Sequence, residues 1–209
     1  LDPYVRVSVI DGKKSPDWQP FRGIAHVFVA GFARTRDGDP VQMLIEFLDQ
    51  VIADIEWRNE RLSEIATQDP RACPEGKLTR DIARNPKYGM PVHFIFAEEI
   101  QEYYEGFDQK ANMAVAQKML RICRTGPSVG YGLVTLTQKP SNIGAGDVAR
   151  LWNNYRDNHV GRLALSCGNR HVSEAILGAD AYSQGLDASA LPVGPDFKAD
   201  ASVQLQLPN

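Results

Sequence analysis

Apolar positions fall into two alternating kinds of run along the chain. Val5, Val7, Val9 and Ile10 crowd between Pro3 and the Asp11-Gly12 pair, which predicts a short strand between breakers. The run HVFVA at 26–30 predicts the next strand. Asp39-Pro40 then supplies a helix cap and a proline at the first helical position. Leu44, Phe47, Leu48, Val51, Ile52 and Ile55 recur behind it at helical spacing, which predicts a long amphipathic helix. From 67 to 89 the chain turns polar, punctuated by Pro70, Pro74, Gly76 and Pro86, and reads as a surface excursion with one short helical turn. Beyond it strand and helix alternate: strand 91–97, helix about 109–124, strand 131–137, helix about 145–156, strand 160–166 and helix 170–177.

Strands that are apolar throughout, rather than at every second position, are buried on both faces. Their alternation with helices implies parallel pairing through crossover helices, so the class expected is α/β. Past Gly178 the composition shifts to Gly, Pro, Ala and Ser, with an edge strand expected at Ser202 to Leu207 before Pro208. With 209 residues and 43% hydrophobic composition the chain can bury one sizeable core, and its length does not require a second domain.

Charge narrows the partners. Lys+Arg 23 against Asp+Glu 26 leaves a net charge of −3, so no global positive field holds a polyanion and any nucleic-acid contact must be local. Cys73, Cys123 and Cys167 are widely separated and odd in number, which suits a reducing, cytoplasmic setting and argues against a zinc site. No apolar run reaches the roughly 20 residues of a membrane helix, so no membrane contact is expected from this segment. The absence of an initiator Met before a strand that starts almost at once suggests an excised fragment.

Chemistry is expected where buried parallel strands end, because ligands of open α/β sheets bind beyond the carboxyl ends of the strands. PVHFIFAEEI, 91–100, ends in Glu98 and Glu99. A first carboxylate there can hold hydrated Mg²⁺. A second, one residue on, can orient and deprotonate a water that attacks a phosphate. The bland alternative is a solvated acidic strand end. YGLVTLTQKP, 131–140, places Gln138 at the same edge if the two strands are neighbours, and a glutamine there can bond both a terminal phosphate and the attacking water.

Several blocks together resemble the FtsK/SpoIIIE/TraB group of RecA-like motors that pump double-stranded DNA. Val9-Ile10-Asp11-Gly12-Lys13 is similar to that family's strand ending in IDPK, and FIFAEEIQEY, 94–103, resembles its Walker B block. RTGPSVG, 124–130, resembles its RRGPAAG-like turn, and LTQKP, 136–140, its ATQRP motif. YRDN, 155–158, with RLAL, 162–165, is similar to its IRDNF…TRIAL stretch, and EAILG, 174–178, falls where the family has SRTILD. Order and approximate spacing agree over most of residues 5–180. The resemblance implies a three-layer RecA-like sandwich, with a mostly parallel central sheet and helices on both faces. Residues 1–180 would form the motor core, and 181–209 a loop and edge-strand extension of the same domain.

Two departures stand out. Glu98 occupies the place where the family has Asp, and the phosphate loop G-x-x-x-x-G-K-[ST] is absent. Gly12-Lys13 has Val7 where the first Gly belongs and Lys14 where Ser or Thr does, and Gly76-Lys77 precedes Leu78, so both are decoys. In the family the loop comes shortly before the IDPK-like strand, so the chain is expected to begin after it.

By resemblance the cofactors are ATP and Mg²⁺, with Glu98 on the metal, Glu99 as base and Gln138 as sensor. Arg124 becomes a candidate arginine finger acting on a neighbouring subunit, against the alternative of a cation favoured at a helix C-terminus. The implied partners are double-stranded DNA and further copies of the chain, in a ring expected to be hexameric. Lys110 and Lys118 are candidate DNA contacts. The parent protein could sit at the cytoplasmic face of a membrane. Arg162 and Arg170 suit either subunit boundaries or surface ion pairs. The four histidines, Trp152 and Tyr155 suit packing. The function expected is ATP-driven DNA translocation, in chromosome segregation or in transfer of plasmids or integrative elements. The alternative is a degenerate, non-hydrolysing relative that bridges subunits or recruits a secretion substrate.

Overall fold

The computed structural model describes residues 2–191 apart from 32, 33, 35, 37, 107 and 142, together with the backbone of 204–206. Four parallel strands form the main sheet in the order β2-β1-β3-β4: β1 Val5–Asp11, β2 Val27–Ala30, β3 Val92–Glu98 and β4 Tyr131–Leu136. The chain is α/β, with this sheet flanked by helices.

Helix α1 spans Pro40–Gln68 and carries the chain from the β2 edge across β1 to β3. Asp39 caps it by accepting from the N–H groups of Val41, at 3.0 Å, and Gln42, at 3.4 Å. That relieves two of the orphan donors of the first turn, and Pro40 has no N–H to satisfy. Its buried stripe runs Leu44, Phe47, Leu48, Val51, Ile55, Arg58, Leu62, Ile65. At 29 residues, about 44 Å, it continues well past the last apolar position that the sequence pattern had marked. The short helices α2, Arg80–Ala83, and α3, Glu102–Glu105, precede α4, Gln109–Thr125, and α5, Asp147–Asp157. Helix α4 packs on both α1 and α5.

The β3 register decides which side chains meet which layer. His93, Ile95 and Ala97 are buried, with Phe47 of α1 lying against His93, whereas Phe94, Phe96 and Glu98 point to the opposite face. On that opposite face Trp18, from the 3-10 turn Pro16–Phe21, packs on Phe96 with ring centroids 5.9 Å apart. Phe94, Val134 and Leu136 there are 38–41% exposed.

Arg58 fastens the helical layer to the edge of the sheet where β3 and β4 begin. Fully buried, it pairs with Asp54 at 2.7 Å and donates to the carbonyls of Pro91, at 2.8 Å, and Val129, at 3.0 Å. It also lies over the Tyr131 ring, whose hydroxyl donates to Asp54 at 2.6 Å.

One element differs from the sequence pattern. The strand expected at 160–166 as an extension of the sheet is only β5, Arg162–Ala164, and it pairs antiparallel with β6, Gln204–Gln206, in a separate two-stranded sheet. Apolar spacing marks a strand but not its partner. Beside β5, α6, Arg170–Leu177, buries Leu177 with Ala164, Ala181 and Ala188 in a small second cluster. Of the edge strand expected at Ser202 to Leu207, residues 202, 203 and 207 lie outside the described residues.

The polar stretch beyond α1 is tied down. Cys73, Ile82, Ala83 and Met90 are buried, Leu78 N–H donates to Ser128 C=O at 2.9 Å, and Thr79 Oγ1 donates to Ala72 C=O at 3.2 Å.

Candidate functional site

Parallel pairing brings every strand's carboxyl end to one edge of the sheet. β1, β3 and β4 are consecutive there, so Asp11, Glu98, Glu99 and the residues after Leu136 converge. Asp11 is the register partner of Glu98. At that point the chains approach closely: Gly12 N–H donates to Glu98 C=O at 2.9 Å, and a Cβ at position 12 would lie 2.3 Å from the Glu99 carbonyl oxygen. Only glycine leaves that space.

Glu99 sits at φ +47°, in the left-handed region that a non-glycine residue rarely adopts. Its N–H donates to Leu136 C=O at 2.8 Å and its carbonyl accepts from Glu102 N–H at 3.0 Å, so the turn is fixed on both sides. The left-handed step swings the Glu99 side chain toward β4. There Oε2 accepts from Gln138 N–H at 3.3 Å and from Gln101 Nε2. Glu99 and Gln101 are both buried, and the Gln138 side chain is exposed.

Glu98 faces the other way, toward Asp11 and Trp18. Burial raises its pKa; a hydrogen bond from Trp18 opposes that shift, and the nearby carboxylates of Asp11, Glu99 and Asp17 add to it. Asp11 is fully buried: Oδ1 accepts from Ser15 N–H at 3.1 Å, while Oδ2 has no donor among the described residues. Glu98 Oε2 is likewise buried and without a donor. Two hard oxygen acceptors lacking donors, on adjacent strand ends, fit a hydrated Mg²⁺ held through one or two carboxylates. No cluster of three or more His, Cys, Asp or Glu suited to a metal occurs among the described residues.

Among the described residues nothing in this site cradles phosphates. Gly12-Lys13 leads to the six-residue 3-10 turn rather than to an α-helix, and Gly76-Lys77 lies at a 3-10 turn of the segment beyond α1. A cavity of 340 Å³ opens between the N-termini of α1 and α4. Asp39, Glu102 and Asp108 line it against a single cation, Arg34, which is paired with Asp39 at 3.3 Å, and this acidic balance opposes a polyphosphate there despite the favourable helix ends.

The segment after β4 is held by three anchors. Trp152 of α5 donates to Pro140 C=O at 3.2 Å, Thr137 Oγ1 donates to Gln101 Oε1 at 2.8 Å, and Lys139 Nζ meets both Glu105 oxygens at 2.7 and 2.9 Å. Trp152 and Tyr155 are buried as packing residues.

The structure therefore brings Glu98, Glu99 and Gln138 to one edge. Arg124, exposed in the last turn of α4, lies at the opposite edge of the sheet, where β4 begins, so the chain does not deliver it to its own Glu99. Lys118 is paired with Asp49 of α1, while Lys110 is exposed. Arg170 pairs with Glu174 at 2.8 Å and stacks over Tyr182, and Arg162 lies 3.9 Å from Asp157. Sequence reading had not singled out Asp11, Gln101 or Thr137 as site residues. Asp11 carried a signal as the last residue of the IDG strand, but its partnership with Glu98 depends on strand order.

No family model matches the chain, and no curated protein matches it. Solved structures share its fold. The cytoplasmic domain of the type VII secretion ATPase EccC of Thermomonospora curvata superposes with a TM-score of 0.61 at 18% identity, covering 97% of this chain and 20% of that one. The monomer form of the pCW3 conjugation coupling protein TcpA with ATPγS superposes with a TM-score of 0.61 at 12% identity, covering 95% of this chain and 51% of that one. The chain thus spans a fifth and about half of the lengths of these two neighbours. At such identities the likeness is one of fold. No helix among the described residues is long and apolar enough to cross a membrane.

Proposed function

We propose that the chain is most of the motor domain of an ATP-driven double-stranded DNA translocase of the FtsK/SpoIIIE/TraB kind, with its phosphate loop supplied by polypeptide upstream of residue 1. The observation that carries this reading is the meeting of Glu99 with Gln138, whose N–H lies 3.3 Å from Glu99 Oε2. Two motif residues 39 positions apart share one strand edge. The fold shared with a secretion ATPase and a conjugation coupling protein agrees with it.

In this reading Glu98, with Asp11 beside it, would hold Mg²⁺. Bound Mg²⁺ supplies charge neutralisation at the phosphate oxygens. Glu99 accepts the proton of the attacking water, and its buried, doubly bonded Oε2 keeps the carboxylate in one orientation. The exposed Gln138 side chain is free to reach a terminal phosphate. Arg124, at the opposite edge, serves a neighbouring subunit's site, so a closed ring, hexameric by analogy with the family, completes the machine. Duplex DNA is gripped by loops facing the ring's pore, where a few cations per subunit add up despite the net charge of −3.

The test is ATP turnover by the protein carrying the upstream loop, with and without duplex DNA. DNA-stimulated hydrolysis that Glu99→Gln lowers by about 10²–10⁴-fold supports the motor. Turnover indifferent to that substitution removes it. A second reading, a degenerate domain that bridges subunits or recruits a secretion substrate, draws on Glu98 in place of Asp and on the absence of a phosphate loop within these 209 residues. An upstream sequence without G-x-x-x-x-G-K-[ST] favours it.

A further inference from the structure

Resting on that reading, we infer that Gln101 is a positioning residue, which fixes the Glu99 carboxylate and couples it to the segment after β4 through Thr137. Gln101 is 6% exposed, and both ends of its amide are used. Nε2 donates to Glu99 Oε2, and Oε1 accepts from Thr137 Oγ1 at 2.8 Å. Thr137 Oγ1 in turn accepts from Lys139 N–H at 3.0 Å. The Thr137 hydroxyl has one proton and two acceptors in reach, Gln101 Oε1 at 2.8 Å and Lys139 C=O at 3.1 Å; given to the nearer, it makes the donors run from the Lys139 backbone through Thr137 and Gln101 to Glu99. A carboxylate can only accept, which fixes the orientation of the Gln101 amide and leaves Oε1 as the end that accepts from Thr137.

The arrangement has a chemical consequence. Gln101 and the Gln138 N–H together occupy Oε2, so Glu99 Oε1 has no donor among the described residues and is the oxygen left to take a proton from water. Without Gln101, a glutamate side chain with three rotatable bonds is held at Oε2 only by the 3.3 Å contact from Gln138. Proton abstraction needs the base within hydrogen-bond reach of its target, so loss of orientation lowers the rate of the chemical step rather than substrate affinity. The clamp of Lys139 on Glu105, with Gly144 N–H on Glu105 Oε1 at 3.1 Å, holds the Thr137 end of the relay in place.

The test uses the protein carrying the phosphate loop and measures kcat and KM for ATP in Q101A, T137V, T137S, E99Q and the double variants. Q101A and T137V are each expected to lower kcat about tenfold with KM changed less than about twofold. T137S, which keeps the hydroxyl, restores turnover relative to T137V. Q101A/T137V is no worse than the poorer single variant, and Q101A adds no loss in an E99Q background. Unchanged kcat in Q101A while E99Q is inactive overturns the positioning role and leaves the proposed function standing. A further loss on adding Q101A to E99Q also overturns it, because Gln101 then acts by another route. Indifference to E99Q itself overturns the function on which the inference rests. Should Q101A fail to fold, T137V against T137S tests the same link from the β4 side.

Discussion

Asp11 and Glu98 face each other across adjacent parallel strands, and each keeps one buried carboxylate oxygen without a donor among the described residues. Two acids so placed repel, and the repulsion is offset only by a cation or a shared proton. Asp11→Asn removes one charge and offers an N–H toward Glu98. In Mg²⁺-free buffer at pH 7 it is expected to stabilise the chain by about 1 kcal/mol in urea unfolding. A lower midpoint for the variant means that the two oxygens do not oppose one another.

Gly12→Ala introduces a methyl 2.3 Å from the Glu99 carbonyl oxygen. Because that oxygen belongs to a backbone turn fixed on both sides, relief requires moving the turn, with a cost of about 1–3 kcal/mol. Urea unfolding measures the loss. If the proposed function holds, ATP turnover is expected to fall with it, since Glu99 moves with the turn.

At the far edge, Arg58→Ala leaves Asp54 without its buried partner and the Pro91 and Val129 carbonyls without a donor. Asp54 is 33% exposed and keeps the Tyr131 hydroxyl, so the cost lies mainly in the two carbonyls left without a donor, about 1–3 kcal/mol each. The denaturant midpoint is expected to drop accordingly, whereas exchange of an exposed partner pair such as Arg61 and Glu64 moves it by less than about 0.5 kcal/mol.

His93 sets an acid limit on the fold. Burial lowers its pKa to about 3, with the positive charges of His26, Arg58 and Arg6 adding to the effect and Asp54 opposing it. Ser8 Oγ lies 2.8 Å from Nε2, while Nδ1 is buried without a partner. Below the ordinary histidine value of 6.5 the unfolded chain binds a proton that the folded chain refuses, so stability falls as pH drops from 6.5 toward 3. Between pH 7.5 and pH 5 the loss from this group is about 2 kcal/mol. Urea unfolding at the two pH values measures it, and His93→Gln is expected to flatten the dependence.

The strands, α1 and the acidic end of β3 were legible because each is written locally. Val5 to Ile10 lies between Pro3 and Gly12, Asp39-Pro40 starts a helix whose apolar spacing is regular, and Glu98-Glu99 closes an apolar run. The fate of 160–166 was not legible: Leu163 and Leu165 look like core residues in sequence yet are more than half exposed, the first on a three-residue strand paired outside the main sheet and the second just beyond it. Arg58 reads as a polar interruption of the α1 stripe, and only the carbonyls of Pro91 and Val129, 33 and 71 residues away, make its burial tolerable.

The sequence by itself determined that buried strands alternate with helices, and that carboxylates and a glutamine stand at two strand ends, because cap chemistry and apolar period are carried by neighbours along the chain. Strand order was decided only in three dimensions. Backbone hydrogen bonds are the same whatever the side chain, so no local pattern states that β1 and β4 both flank β3. That order joins Asp11 to Glu98 and Glu99 to Gln138, and through Gln101 and Thr137 it turns scattered polar residues into one connected site.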